Sequence, residues 1–144
     1  MRIKKFLPDV KATEKFAFDL AQKIKPGQVV YLYGALGSGK TTLVQNLLKS
    51  WGYEGAVTSP TFSLLEPYTL INFNVYHFDF YRVNDPKELS VIGIKEYFNA
   101  NSITLIEWPD IAAAYIPTAN WKIHLDYFQQ GREIEVEEIL SNNF

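Results

Sequence analysis

The chain has 144 residues, of which 47% are apolar and 21% charged, and its formal net charge is −2 at pH 7. This length and composition indicate one domain, residues 1–144, that buries a hydrophobic core. The charge balance argues against a protein that binds nucleic acid by bulk electrostatics. Because the sequence contains no cysteine, it excludes disulfides, a thiol nucleophile and a thiolate zinc site.

Nothing in the sequence indicates a membrane protein. No apolar run approaches the roughly 20 residues that a membrane-spanning helix needs, and the first ten residues lack the apolar core of a signal peptide. We therefore expect a cytoplasmic protein with no membrane partner. The two histidines, His77 and His124, lie too far apart in sequence to indicate a metal cluster.

The first 30 residues predict a strand, a helix and a turn. Residues 2–7 alternate weakly, as an edge strand does, and Asp9 is a plausible N-cap. Apolar residues recur at helical spacing through residues 10–24, which predicts an amphipathic helix. Pro26 and Gly27 then turn the chain into a short apolar strand at residues 29–32.

That strand runs into a glycine-rich loop with the Walker A spacing G-x-x-x-x-G-K-T, followed by a helical pattern. Glycines let the loop turn tightly and direct its N–H groups inward, and the helix N-terminus adds partial positive charge. We expect Lys40 to project from the loop with little packing and to contact the β- and γ-phosphates, and Thr41 to bind Mg²⁺. The predicted nucleotide contacts of this segment are Gly34, Leu36, Gly37, Ser38, Gly39, Lys40 and Thr41.

The second half of the chain predicts a mixed sheet. Residues 55–68 are too irregular for a helix, and a strand beginning at residue 64 or 65 pairs in a hairpin with residues 74–80. Short helical segments follow at residues 86–92, 94–98 and 110–115, and residues 103–106 form an apolar run typical of a buried parallel strand. Residues 121–128 and 132–138 predict an antiparallel hairpin. The fold class is therefore α/β: a P-loop NTPase-like sheet with a parallel core, antiparallel additions and flanking helices.

Two acids lie where the predicted strands end. Asp79 lies near the end of the strand at residues 75–82, whose other face carries Tyr76, Phe78 and Phe80, and Glu107 directly follows the run at residues 103–106. Open α/β sheets bind ligands at the carboxyl ends of their strands. We therefore expect Asp79 and Glu107 to act as catalytic and metal-linked acids beside the catalytic Lys40.

Other positions remain open from the residues alone. Ser59 or Thr61 belongs either to a switch-like loop that senses the γ-phosphate or to an ordinary proline turn. Arg82 either stabilises phosphate or pairs with a surface carboxylate. His77 is more often a satisfied, partly buried histidine than a catalyst. Tyr81 and Trp108 are most simply core packing, with a partner contact as the lesser alternative.

The motifs GALGSGKTT, TSPTF, HFDFYR, IGI and LIEWPD, in this order, resemble the TsaE (YjeE) family over nearly the whole chain. This resemblance implies a small bacterial P-loop ATPase, using ATP and Mg²⁺, that supports threonylcarbamoyladenosine formation on tRNA. Its partner would be a TsaD–TsaB type complex, through which tRNA is reached indirectly. The family commonly carries an acidic residue where this chain has Ala35, so any role of that acid is absent here.

The resemblance also implies roles for individual residues. Thr42 would lie near the α-phosphate, Thr61 in a switch-like loop, and Thr13 toward the base. Asp79 would be the Walker B-type or catalytic acid, Glu107 a second metal-linked acid, and Trp108 would pack beside the nucleotide.

A small-molecule or nucleoside kinase is the alternative function. In that case Asp79 would deprotonate an acceptor hydroxyl, and the aromatic residues between Tyr76 and Tyr81 would line the acceptor pocket. A GTPase switch is disfavoured because the sequence has no guanine-reading N-K-x-D segment.

Overall fold

The computed structural model describes residues 1–35 and 37–139 of the chain. These residues form a mixed sheet of seven strands with helices on both faces. The strands are β1 (Arg2–Leu7), β2 (Val29–Tyr33), β3 (Leu65–Thr69), β4 (Asn74–Asp79), β5 (Ser102–Glu107), β6 (Trp121–Phe128) and β7 (Gly131–Glu138). The predicted α/β fold class is confirmed.

The sheet has a parallel centre and antiparallel edges. Its order is β1-β7-β6-β2-β5-β4-β3, in which β6, β2, β5 and β4 are parallel neighbours. Strand β3 pairs antiparallel with β4 at one edge, while β7 and β1 continue antiparallel beyond β6 at the other. The terminal hairpin is thus not separate from the parallel core, because β6 pairs directly with β2.

Three α-helices and two 3₁₀ segments cover the sheet. The helices are α1 (Val10–Ala21), α2 (Lys40–Ser50) and α3 (Glu88–Val91), and the 3₁₀ segments span Ile94–Tyr97 and Pro109–Tyr115. Helices α1 and α2 pack together on one face, where their apolar sides meet Val30, Leu32 and Leu105. The short segments cover the other face, against Tyr31 and Phe78.

The alternation of β2 explains how both faces acquire a core. Val30 and Leu32 point into the core under α1 and α2, whereas Val29 and Tyr31 point into the opposite core. Successive side chains of a strand face opposite sides of the sheet, so a strand covered on both faces is apolar throughout. Strand β5 is buried along its whole length for the same reason.

Several predicted boundaries shift by a few residues. Asp9 does cap α1, accepting a hydrogen bond from the Ala12 amide, but the helix ends at Ala21 rather than residue 24. Strand β4 ends at Asp79 instead of continuing to residue 82. Helix α3 begins at Glu88, two residues after Pro86, since Asp85 first accepts a hydrogen bond from the Lys87 amide.

The topology brings candidate site residues together at the carboxyl ends of the parallel strands. Parallel strands β2, β5 and β4 end there, at Tyr33, Glu107 and Asp79, and α2 begins just beyond β2. The antiparallel strand β7 starts at this same end of the sheet, next to the end of β1. Within the described residues, no helix is both long and apolar enough to cross a bilayer.

Candidate nucleotide site

The glycine-rich loop (residues 34–39) connects the end of β2 to the start of α2. Gly34 has a φ of +152°, and a Cβ there would lie 2.3 Å from the Leu125 carbonyl oxygen of β6. Gly39 has a φ of +106° and immediately precedes α2. Both positions therefore require glycine, one for close approach and the other for its left-handed backbone.

The start of α2 offers backbone donors to an anion. The first amides of a helix have no intrahelical acceptor and carry partial positive charge. Among the described residues, no side chain caps the first turn of α2. Gly37 and Ser38 lie in the loop beside it, with Ser38 buried, whereas Leu36 lies outside the described residues. This arrangement fits a phosphate group.

Lys40 is buried rather than projecting freely, which corrects the sequence expectation. Its residue exposure is 9%, and its Nζ donates a hydrogen bond to the Gly34 carbonyl oxygen at 2.6 Å. The same Nζ lies 3.1 Å from Glu107 Oε1. The ammonium is held in this way because β5 ends beside the loop, so that its last residue faces the first turn of α2.

Glu107 is shared between two partners. Its Oε1 faces Lys40, while its Oε2 lies 2.7 Å from Nε2 of His77, a histidine that is 1% exposed. Burial alone would raise the pKa of the Glu107 carboxyl. The hydrogen bond from His77 and the charges of His77 and Lys40 outweigh burial, and the pKa lies below its ordinary value.

Asp79 lies directly opposite Glu107 across the parallel strands β4 and β5. Its Oδ1 accepts a hydrogen bond from the Tyr81 amide at 2.9 Å. Burial raises the pKa of the Asp79 carboxyl, and the nearby Glu107 charge adds to this, although the Tyr81 amide, Lys40 and His77 oppose it. The predicted catalytic residues Lys40, Asp79 and Glu107 therefore form one buried cluster.

The donor set fits a magnesium ion. Mg²⁺ prefers hard oxygen ligands and commonly takes one or two carboxylates together with substrate phosphates. Asp79 and Glu107 supply buried carboxylates, and Thr41 supplies a hydroxyl from the first turn of α2. These are the residues that would hold the ion.

Thr13 and Thr42 share a small cavity on the other side of the loop. The cavity has a volume of about 200 Å³ and is also lined by Asp9, Gly39 and Arg132. Thr13 is buried in α1, and its hydroxyl donates to the Asp9 carbonyl oxygen at 3.4 Å. The cavity adjoins the first turn of α2, where the family resemblance would place the α-phosphate and base side of a nucleotide.

Arg132 and Tyr127 were not predicted as site residues, yet both bind the glycine-rich loop. Arg132 Nε donates to the Ser38 carbonyl oxygen at 2.8 Å, and the Tyr127 hydroxyl donates to that of Gly37. The guanidinium also lies 4.2 Å from the centre of the Tyr127 ring. The predicted hairpin of β6 and β7 was correct, but only the pairing of β6 with β2 brings its turn to the loop.

The segment at residues 58–62 is fixed by local contacts. Ser59 Oγ and Thr61 Oγ1 are 2.8 Å apart, and the Tyr68 hydroxyl bonds both the amide and the carbonyl of Thr58. In the described part of the chain, no hydrogen bond links Thr61 to Lys40 or the acids. Its role toward the γ-phosphate stays a prediction.

The interpretation of Tyr81 and Trp108 as core packing is wrong. Tyr81 is 58% exposed and Trp108 is 42% exposed, and their rings contact each other at the surface with centroids 4.9 Å apart. Trp108 has a φ of +55° immediately after Glu107, which turns its ring outward to within 5.8 Å of Lys40 Nζ. It does lie beside the candidate site, as the family resemblance implies.

Of the two roles considered for Arg82, pairing with a surface carboxylate is not observed among the described residues, whereas phosphate stabilisation stays a prediction. Its guanidinium stacks 4.3 Å from the centre of the Phe62 ring, and within the described residues it has no carboxylate partner.

A larger cavity of about 680 Å³ lies near the opposite end of α2, between Lys49 and Val57, and contains none of the predicted site residues. The described residues also contain no cluster of three metal-ligating side chains of the His, Cys, Asp and Glu types.

Known proteins resemble this chain in sequence and fold. The profile of the family "Threonylcarbamoyl adenosine biosynthesis protein TsaE" matches residues 7–134. The chain belongs to the TsaE family. It is 45% identical over 108 residues to the tRNA threonylcarbamoyladenosine biosynthesis protein TsaE of Haemophilus influenzae. The alignment covers 75% of this chain and 68% of that protein. For the TsaE of Rickettsia typhi the identity is 44%, covering 70% of each chain.

A solved structure supports the same fold. The crystal structure of Bacillus subtilis YdiB superposes with a TM-score of 0.78 and 27% identity, covering 94% of this chain and 84% of that one. The resemblance drawn from the motifs is therefore confirmed at the level of family and fold, and the family role lies in threonylcarbamoyladenosine biosynthesis on tRNA.

Proposed function

We propose that this protein is a Mg²⁺-dependent ATPase that supports threonylcarbamoyladenosine modification of tRNA by acting on a TsaD–TsaB type protein complex. The observation that carries the proposal is the cluster of Lys40, Asp79 and Glu107 at the start of α2. A cation and two buried acids next to an uncapped helix N-terminus, at the carboxyl edge of a parallel sheet, are the parts that phosphoryl transfer to water requires.

Each residue of the cluster has a distinct task in this proposal. The amides of the glycine-rich loop and of the first turn of α2 bind the phosphates, and Lys40 exchanges Glu107 for the β- and γ-phosphate oxygens. Thr41, Glu107 and Asp79 would hold the metal, and the Asp79 oxygen that does not bond Tyr81 would also orient the attacking water. A bound Mg²⁺ would supply positive charge that offsets the charge developing on the phosphate.

The arginines support slow turnover by the protein alone. Arg132 is bound to loop carbonyls on the side of Thr13 and Thr42, and Arg82 stacks on Phe62, so neither contacts the Lys40 cluster. An arginine finger supplied in trans accelerates P-loop enzymes by about 10³- to 10⁵-fold. We therefore infer that the partner complex stimulates hydrolysis, and that it needs this ATPase for repeated rounds of tRNA modification.

Phosphate release with and without the partner tests the proposal. Purified protein should bind ADP and ATP in calorimetric titrations and release phosphate slowly at saturating Mg²⁺ and ATP. Adding a reconstituted TsaD–TsaB complex should raise the rate, and chelating Mg²⁺ should abolish it. Fast hydrolysis indifferent to the complex would contradict the partner assignment, and absence of nucleotide binding would contradict the whole proposal.

Two of the rings proposed to line the kinase's acceptor pocket pack against other side chains. Phe78 is fully buried, and Tyr76 is partly buried and packs edge-to-face against Tyr97. Incubation of labelled ATP with a metabolite library distinguishes the two functions. The label should appear in free phosphate, whereas transfer to a metabolite would favour the kinase.

A further inference from the structure

His77 is a buried residue of β4, one of the two strands that carry the acids. It lies two residues before Asp79 on β4 and pairs in register with Leu105 of β5, so Glu107 is its diagonal neighbour. Its Nε2 is 2.7 Å from Glu107 Oε2, and the side chain is 1% exposed. A carboxylate accepts hydrogen bonds, so the Nε2–H of His77 is the donor in this contact.

The other ring nitrogen shows that the histidine is not a simple space filler. Nδ1 of His77 is buried and has no hydrogen-bond partner among the described residues. A buried polar atom without a partner destabilises the fold, a cost that an apolar side chain of similar size would avoid. The contact between Nε2 and Glu107 is the interaction that accounts for a histidine here.

Glu107 needs a second partner once Lys40 has moved. In the structure, Lys40 fixes Oε1 and His77 fixes Oε2, so the two oxygens are held separately. If Lys40 turns to phosphate oxygens, Oε1 loses its protein partner, and His77 alone holds the carboxylate. A carboxylate held by one oxygen presents the other in a defined direction, which is how outer partners orient metal ligands.

We infer that His77 is a positioning residue: through Nε2–H it anchors Oε2 of Glu107, so that Oε1 stays directed at the metal side when nucleotide displaces Lys40. This inference rests on the proposed ATPase function. It assigns His77 no contact with nucleotide or metal. It requires a hydrogen-bond donor at the position of the His77 Nε2 atom, and a donor elsewhere on the side chain would not suffice.

Three substitutions separate the position of the donor from bulk and polarity. Glutamine places its amide nitrogen close to the position of histidine Nε2, asparagine places it near that of Nδ1, and phenylalanine fills the ring volume without a donor. H77Q should therefore keep the bond to Glu107, whereas H77N and H77F should lose it. Thr104→Val is the matched control, because Thr104 is also buried in this sheet with an unpartnered side-chain oxygen, but on the face away from Glu107.

The expected result is a separation of turnover from nucleotide affinity. H77N and H77F should lower kcat by about 10- to 100-fold. They should also lower, by a similar factor, the gain in ADP affinity that Mg²⁺ produces. Mg²⁺-free ADP affinity and KM for ATP should stay near wild type, as should all values for H77Q and T104V. Crystal structures of H77F and H77Q with ADP should show the carboxylate rotated in the first and retained in the second.

Several results would overturn the inference. H77F with wild-type kcat and a wild-type Mg²⁺ dependence of ADP affinity would do so. Losses of kcat in H77Q, H77N and H77F that merely follow their melting temperatures would do so too. If H77N and H77F fail to fold, a folded H77Q that shows the activity loss expected of them would overturn the inference as well. Wild-type protein that neither binds nor hydrolyses ATP would instead overturn the proposed function, and this inference with it.

Discussion

Replacing Glu107 by glutamine should destabilise the protein before any nucleotide is present. The carboxylate has two partners, His77 at 2.7 Å and Lys40 at 3.1 Å, and its side chain is 7% exposed. Glutamine keeps the shape but offers a single oxygen, so one of the two donors loses its acceptor and faces an NH₂ group. The charge of Lys40 is also left without its buried counter-ion.

The size of the loss follows from these contacts. Removing one partner of a buried ion pair costs about 3–5 kcal/mol, and one hydrogen bond to a charged group contributes about 1.5–3 kcal/mol. Since glutamine retains one of the two bonds, we expect E107Q to lower the free energy of unfolding by about 2–4 kcal/mol. For a chain of this length that corresponds to a melting temperature lower by roughly 6–12 °C.

Urea and thermal unfolding of the nucleotide-free protein at pH 7 provide the measurement. E135Q is the matched control: Glu135 makes a 2.6 Å ion pair with Arg2, whose side chain is 69% exposed, and such surface pairs contribute only about 0–1 kcal/mol. E107Q as stable as E135Q would refute the argument that the Glu107 contacts hold the site together.

The pH dependence of this difference has a definite sign. The folded-state pKa of Glu107 lies below its ordinary value of 4.5. Its ionised form therefore stabilises the fold fully above pH 4.5, and the contribution is lost as pH falls through the lower folded-state value. The stability gap between wild type and E107Q should be constant near neutrality and should shrink in this acidic range. A gap that widens on acidification would contradict the assignment.

Other substitutions test the remaining residues. D79N should lower phosphate release more than ADP affinity while leaving stability unchanged or higher at pH 7, because the raised pKa of Asp79 means that its charged form opposes folding; loss of stability would contradict this. K40A should abolish calorimetric binding of ADP and ATP and, by leaving Glu107 without its cation, should also lower the melting temperature. Unchanged affinity would exclude Lys40 as a phosphate ligand. R132M should weaken ADP affinity about tenfold, or about 1.4 kcal/mol, since it removes the bond to the Ser38 carbonyl, and R132K should recover part of the loss; equal affinities would show that the arginine does not hold the loop.

Local sequence signals predicted the fold because they act over short distances. The apolar run before Glu107 and the alternation around Asp79 placed both acids at strand ends, and parallel pairing then brought them opposite each other. Asp9 and Gly39 likewise mark helix starts through contacts within a few residues. Boundaries shifted where side-chain capping, as at Asp85, competed with the backbone pattern.

Contacts between distant segments were beyond the reach of the sequence. Arg132 lies 94 positions from Ser38, and it reaches that carbonyl only because β6 joins the sheet beside β2. The outward turn of Trp108 depends on its positive φ after β5, which an aromatic residue beside charged neighbours does not signal. The burial of Lys40 was also missed. Its motif predicts a phosphate ligand, but not that Glu107, from a distant strand, and the Gly34 carbonyl bind its Nζ in the nucleotide-free protein.

The contacts of Lys40 connect the architecture with the slow turnover that we propose. A phosphate that binds Lys40 would replace both the Gly34 carbonyl and Glu107 around the same Nζ, so binding would exchange one buried ion pair for another. That exchange would offset part of the binding free energy of the γ-phosphate, since desolvated partners held at 2.6 and 3.1 Å are costly to separate. It would also release Glu107 Oε1 for the metal only once phosphate is bound to Lys40. Under the proposed function, such a site would hydrolyse nucleotide only after it reorganises, and a partner that stabilises the reorganised arrangement would accelerate hydrolysis.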